Sequence, residues 1–517
     1  TGRSMGINGQ IESDKILPLR RVPFATMASS ILVFGLYLVA IASIAYVGWR
    51  RTRTLSDYVL GGRSLSPFTA ALSTGASNMS AWVMLSFPAL AYSHSTRAVL
   101  MAVSLVAGQY VSVRTVAPRL RVYSEKLDDA QTLPKFLCER TGRSGKKGML
   151  LRGLCSLTLL FFMLVYVASG LLASGKLLAN LFDIPLSSAI IVGAMVIGGY
   201  TLLGGFLAIS WTDVLQGLMM VMILVGLPLA MVSAPDAAAP AMGTPPDLDQ
   251  SLGWTLVISS LSWGLGYIGL PHSVMRYKAI RDVGDIPAYR RILMGWLVPV
   301  FMGGLAIGLA ARPWYQGASA TLNEDLTLKM IELFFNPWMA GLALSAIMAA
   351  IMSTADSQLL LASVSFSEDI LAPLLLHLSP TQRLRIGRWT VLSITIVSLV
   401  LVLQGSNTIL SLVSYAWAGL GAAFGPVLVF ALFWRRLSYG AAVAGVATGG
   451  LGTILLHTYP PVAGIYELLP AFVLSTLAIW LVGRYAGPDA AATAVFDQLD
   501  AGAARDYGQR SRSRLAT

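Results

Sequence analysis

The chain is short of the residues that build a soluble catalytic centre. It has two cysteines, Cys138 and Cys155, which provide neither a disulfide framework nor a metal-ligand spacing. Its four histidines, His94, His272, His377 and His457, are scattered, which argues against a metal site. Only 12% of residues are charged, and the 25 acids are outnumbered by 37 bases. No paired catalytic carboxylates, nucleophile triad or phosphate-binding loop can be found, so nothing makes a case for an enzyme and no cofactor is expected. A net charge of +12 in a soluble protein would suggest nucleic acid. Here the distribution of that charge points to a membrane surface instead, and no nucleic-acid partner is expected.

What the chain does have is apolar sequence: 55% of its 517 residues are hydrophobic. Runs of about twenty apolar residues, each long enough to cross a lipid bilayer as a helix, recur about thirteen times between 29–48 and 464–484. The expected fold class is therefore all-α: a polytopic membrane protein with about thirteen transmembrane helices. A polar N-terminal tail (1–26) precedes the transmembrane domain (27–486), and a polar, arginine-rich tail (487–517) follows it and reads as disordered. Alternate loops gather most of the basic residues, including Arg50, Arg51, Arg63, the run from Arg114 to Arg152, Arg276, Lys278, Arg290, Arg435 and Arg484. The positive-inside rule makes that side cytoplasmic, with the N-terminus outside and the C-terminus inside. The loop 234–250, rich in Ala, Pro and Asp, reads as flexible and external, Thr132-Leu133-Pro134 as a helix start, and Lys176 as snorkelling to the outer interface.

The organising stretch is Ser73-Thr74-Gly75-Ala76-Ser77-Asn78-Met79-Ser80-Ala81-Trp82, where small and polar residues crowd the middle of an apolar segment. Freed backbone groups in hydrocarbon survive only inside protein or along a wet cavity. The stretch reads either as an interrupted helix around a solute and ion site or as small-residue helix packing. Trp263-Gly264-Leu265-Gly266-Tyr267-Ile268-Gly269-Leu270-Pro271-His272 reads as a second interruption. Each opens a block with an odd number of spans, 66–233 and 252–433, so the blocks have opposite orientations. This is a five-plus-five inverted repeat of the kind secondary transporters use.

Ala350, Ser353 and Thr354 share one helix face, where two hydroxyls beside a carbonyl suit a monovalent cation. Carbonyls of Ala76 and Met79 would complete the oxygen set. The competing reading is hydroxyls bonded back to their own helix. Asp213 and Asp356 are intramembrane acids of undecided role. Trp263 and Tyr267 fall on one face, with Trp82 and Tyr166 as possible partners, either as a pocket wall or as packing.

The motifs Leu60 to Leu65, Gly75 to Trp82, Ser210 to Asp213, Trp263 to His272, Met352-Ser353-Thr354 and Leu412 to Gly419 together resemble the sodium/solute symporter family, in its bacterial sodium/proline branch. The resemblance runs from about Met27 to Gly483. It implies sodium as co-transported ion, bound by Ala76, Met79, Ala350, Ser353 and Thr354, with Asn78 and Asp213 nearby as modulators. It also implies L-proline contacts at Ser80, Trp82, Tyr166, Trp263, Tyr267 and Pro271, in a bacterial inner membrane. Three positions depart from that branch: Asn78 stands for an aspartate, Ala81 for a glycine and Leu270 for a glutamine. The expected function is sodium-coupled import of proline or a close analogue. The alternatives are another small amino acid, a monocarboxylate, or a transporter-like solute sensor.

Overall fold

A computed structural model describes residues 24–51, 55–143, 145–203, 205–234, 253–314, 324–374, 379–405, 407–460, 464–487 and 489–501. The expected external loop falls almost wholly outside them, as do most of the N-terminal tail and the end of the C-terminal one. Among the described residues there is no strand. The helices are α1 (Phe24–Arg51), α2 (Leu55–Leu60), α3 (Pro67–Ala81), α4 (Phe87–Ser93), α5 (Ser95–Lys126), α6 (Leu133–Arg140), α7 (Met149–Phe182), α8 (Leu186–Leu203), α9 (Phe206–Val232) and α10 (Trp254–Ser262). They continue as α11 (Gly266–Gly269), α12 (Pro271–Ala279), α13 (Ile286–Ala310), α14 (Leu326–Phe334), α15 (Pro337–Val364), α16 (Ala372–Leu374), α17 (Pro380–Gln404), α18 (Ile409–Phe433), α19 (Tyr439–Thr458) and α20 (Leu468–Tyr485). A last helix, α21, covers 490–501. Ten of the described helices are long and apolar enough to cross a membrane.

Helix starts follow local chemistry. Ser66, Thr132 and Asn336 each accept a hydrogen bond from the backbone N–H three residues on, and Ser379 and Thr408 form full capping boxes. The α6 start is the one expected at Thr132.

Helix α15 is the axis of the bundle. It is buried continuously from Ala343 to Val364 and packs on α1, α3, α7, α9 and α17. Its alanines and serines let neighbouring helices approach closely, whereas Gly75 of α3 makes room for a side chain. A Cβ at Gly75 would overlap the Trp296 ring of α13.

Both expected interruptions are present, and the first is narrower than the ten-residue stretch expected to unwind. Residues 73–79 remain helical, and the break is Ser80, at φ 46° and ψ −179°, followed by a π-helical turn over Trp82–Ser86. A non-glycine residue held there costs on the order of 1–3 kcal/mol, which surrounding packing must offset. The second break is at Leu270 (ψ 112°), because a residue ahead of proline is excluded from the helical region and Pro271 has no N–H to donate. The entry to the first broken segment and the exit of the second are tied together: Leu65 N–H donates to Ala279 O, and Arg281 N–H donates to Leu65 O.

Three expectations need correction. Arg276 and Lys278 are not loop residues but are buried in α12, each 1% exposed. Lys176 does not snorkel outward; its Nζ is 2.7 Å from Glu324, a buried acid that also accepts the Ile409 and Leu410 N–H groups at the start of α18. The described part of the C-terminal tail is ordered: α21 buries Ala492, Phe496 and Leu499 against the bundle.

Candidate functional site

One turn before the break, α3 and the middle of α15 meet on four oxygens. Ser353 Oγ donates to Ala76 O at 3.0 Å and lies 3.1 Å from Ala350 O. Thr354 Oγ1 lies 3.4 Å from Ala76 O and 3.2 Å from Ala350 O. Back-bonding and a shared oxygen cluster are thus both present, because one carbonyl of each pair belongs to another helix. Two carbonyls and two hydroxyls can ligate a hard monovalent cation once the hydroxyls turn their lone pairs inward. The Met79 carbonyl accepts the Trp82 N–H at the π turn, one turn beyond Ala76.

Asn78 faces a different neighbour. Its Oδ1 accepts from Ser273 Oγ at 2.7 Å, joining α3 to α12. Asp213, on α9, accepts from Ser73 Oγ at 2.6 Å and from Arg276 at 2.9 Å. Arg276 also reaches Ser357 Oγ at 2.7 Å, and that hydroxyl donates to Ser353 O at 2.9 Å. One buried polar chain therefore connects both broken segments to α9 and to the Ala350, Ser353 and Thr354 face of α15. Asp356, one turn from Ser353, is fully buried, and neither of its carboxylate oxygens has a hydrogen-bond partner among the described residues.

The aromatic residues gather beside this network. Trp82 and Trp263 lie 5.8 Å apart, Trp263 and Trp417 5.9 Å, and Tyr267 meets Trp417 edge-on at 5.0 Å. Trp417 Nε1 donates to Trp263 O at 3.0 Å. Gly266 makes room for the Trp417 indole, which a Cβ there would overlap. Tyr166 meets His272, the residue after Pro271, edge-on at 6.1 Å. Ser80 lies in the break itself and Pro271 opens α12.

Trp82 Nε1, the Tyr166 and Tyr267 hydroxyls and both His272 nitrogens are buried without a hydrogen-bond partner among the described residues. Buried polar groups are normally paired, so these unpaired groups beside aromatic rings make the region a candidate site. The cage is closed: Trp82, Tyr166 and Tyr267 are at most 1% exposed. A vestibule of about 590 Å³ stops at Trp263, which stacks on Tyr466 at 5.1 Å.

Trp417, Tyr466 and His272 were not singled out as site residues by sequence reasoning. Trp417 sits between small residues in the Leu412–Gly419 motif, which could have flagged it. Tyr466 carries no comparable signal.

The sodium:solute symporter family profile matches residues 58–449. The chain belongs to that family. Among its relatives, this symporter is 35% identical to the sodium/proline symporter of Escherichia coli (strain K12), over 91% of this chain and 96% of the relative. It is 38% identical to the high-affinity proline transporter PutP of Bacillus subtilis (strain 168), over 88% of this chain and 98% of the relative. Its fold is similar to that of a Na+-coupled sialic acid symporter in a substrate-bound outward-open state, with TM-score 0.71, 20% identity and coverage of 89% and 98% of the two chains. A more distant likeness is to MHP1, a nucleobase-cation-symport-1 family transporter in a closed conformation, with TM-score 0.51, 17% identity and coverage of 85% and 98%.

Proposed function

We propose that this symporter imports L-proline, or a close analogue, with sodium by alternating access. The convergence of Ala76, Ala350, Ser353 and Thr354 oxygens one turn before a helix break carries the reading. The names of its relatives support the solute. Sodium would take those oxygens together with the Met79 carbonyl, with Asn78 and Asp213 modulating it. Proline would lie among Ser80, Trp82, Tyr166, Trp263, Tyr267 and Pro271, its ring on the aromatic faces and its charged ends toward the orphan polar groups.

Adding the segments 67–93, 186–203 and 254–279 to the ten long helices makes thirteen spans. The blocks 66–233 and 252–433 would then be inverted repeats, with the basic loops and C-terminus cytoplasmic, in a bacterial inner membrane. Sodium binding would hold the region around Ser80 against α15 in the outward-open state, and solute would then permit closure.

Uptake of labelled proline into proteoliposomes under an inward sodium gradient tests the reading. Sodium-dependent accumulation is expected. Absence of uptake of any small amino acid under sodium or proton gradients would overturn it. Strong competition by another small amino acid over proline would reassign the solute, as Ala81 and Leu270 at the two breaks could allow.

A further inference from the structure

Outside the transport path, α5 and α13 enclose a groove of about 680 Å³ on the outer face of the bundle, lined by Val99, Val103, Ala107, Val111, Val298 and Met302 among others. Val103 and Met302 are 59% and 64% exposed, whereas Phe301 at its floor is buried. The groove follows α5 from residue 99 to 111, about 18 Å at 1.5 Å per residue, close to the depth of one bilayer leaflet, about 15 Å.

At one end the stripes of both helices turn from apolar to basic. On α5 the face through Ala107 and Tyr110 continues to Arg114 one turn on. On α13 the face through Val298 and Met294 leads back to Arg290 and Arg291. Arg290 lies over the Tyr110 ring at 5.3 Å, which brings the two basic ends together. Among the described residues none of these three arginines has a carboxylate partner, whereas neighbouring Arg281 is paired with Asp285 at 2.7 Å.

We propose that this groove is a binding site for one anionic phospholipid, its acyl chain between α5 and α13 and its phosphate held by Arg290, Arg291 and Arg114. A leaflet-deep apolar slot ending in unpaired guanidinium groups matches the two parts of such a lipid, and a neutral lipid would leave that charge unanswered. Phe301, on the groove floor, also packs against Trp82 at 6.2 Å, so the acyl chain would lie one ring away from the solute cage.

Native mass spectrometry of the purified chain in mild detergent, loaded with phosphatidylglycerol or phosphatidylcholine of equal chain length, tests this without requiring transport. The wild type should retain one phosphatidylglycerol in preference to phosphatidylcholine by on the order of tenfold. The double variant Arg290→Gln with Arg291→Gln should lose that preference. Ala107→Phe, at an exposed position that leaves the arginines in place, should lose retention by filling the slot. Equal retention of the two lipids by the wild type, or wild-type retention of phosphatidylglycerol by either variant, overturns the proposal.

Discussion

The Arg276 guanidinium sits 2.9 Å from the Asp213 carboxylate, and both side chains are closed off from solvent. Asp213 is therefore already balanced by a cation that belongs to the chain. Removing one partner of such a buried pair strands the other, at about 3–5 kcal/mol. Asp213→Asn and Arg276→Gln should each lower the unfolding midpoint in detergent and abolish uptake, and the double variant should regain part of the stability. Additive losses in that cycle would show that the two are uncoupled. If stability returns in the double variant but sodium-driven uptake does not, the Asp213 charge also serves the transported cation.

Trp263→Ala and Tyr267→Ala should weaken proline binding by about one to two decades, equivalent to about 1–3 kcal/mol for a lost buried aromatic, and weaken sodium binding less. Equilibrium binding of labelled proline at saturating sodium reads the first effect, and sodium titration the second. Normal proline affinity in both variants would reduce these rings to packing.

Asn78→Asp should lower the sodium concentration needed for half-maximal uptake. A carboxylate 4–8 Å from the ion, at an effective dielectric of about 20, favours it by about 2–4 kcal/mol. Asn78 is two residues from Ala76 but bonded to Ser273, so the gain depends on how far the new charge faces the oxygen cluster. Unchanged sodium dependence would show that position 78 does not sense the cation.

The docking of α21 should depend on Arg140. That buried guanidinium donates to Ala431 O, Trp434 O and Ala492 O and lies over the Phe496 ring at 4.7 Å. Arg140→Ala should raise hydrogen exchange across 490–501, and wild-type protection there would mean that Phe496 and Leu499 suffice. Paired hydrogen bonds from Arg435 hold the Asp497 carboxyl below its usual range. With the docked value depressed, this contribution is complete above the ordinary carboxylate range and fades as pH falls through the depressed value. Protection over 490–501, with exchange corrected for its intrinsic pH dependence, should therefore be flat near neutrality and fall only in acid.

Apolar run length, the Gly and Pro placement in two segments, and the hydroxyls on one face of α15 were enough to read a helical membrane fold with two breaks. They also marked the region where Ser353 and Thr354 meet Ala76. These are local properties, governed by backbone hydrogen bonding in hydrocarbon and by the helical repeat. Sequence pattern could not distinguish a loop arginine from Arg276, because both follow an apolar segment and stand near its polar end. Only the folded bundle sets that guanidinium against Asp213, from another helix. The same holds for Lys176 with Glu324, for Trp417 in the space left by Gly266, and for the anchoring of α21 by Arg140. Each joins residues far apart in the chain, and the burial that makes a charge or an indole matter comes from the neighbours packed around it.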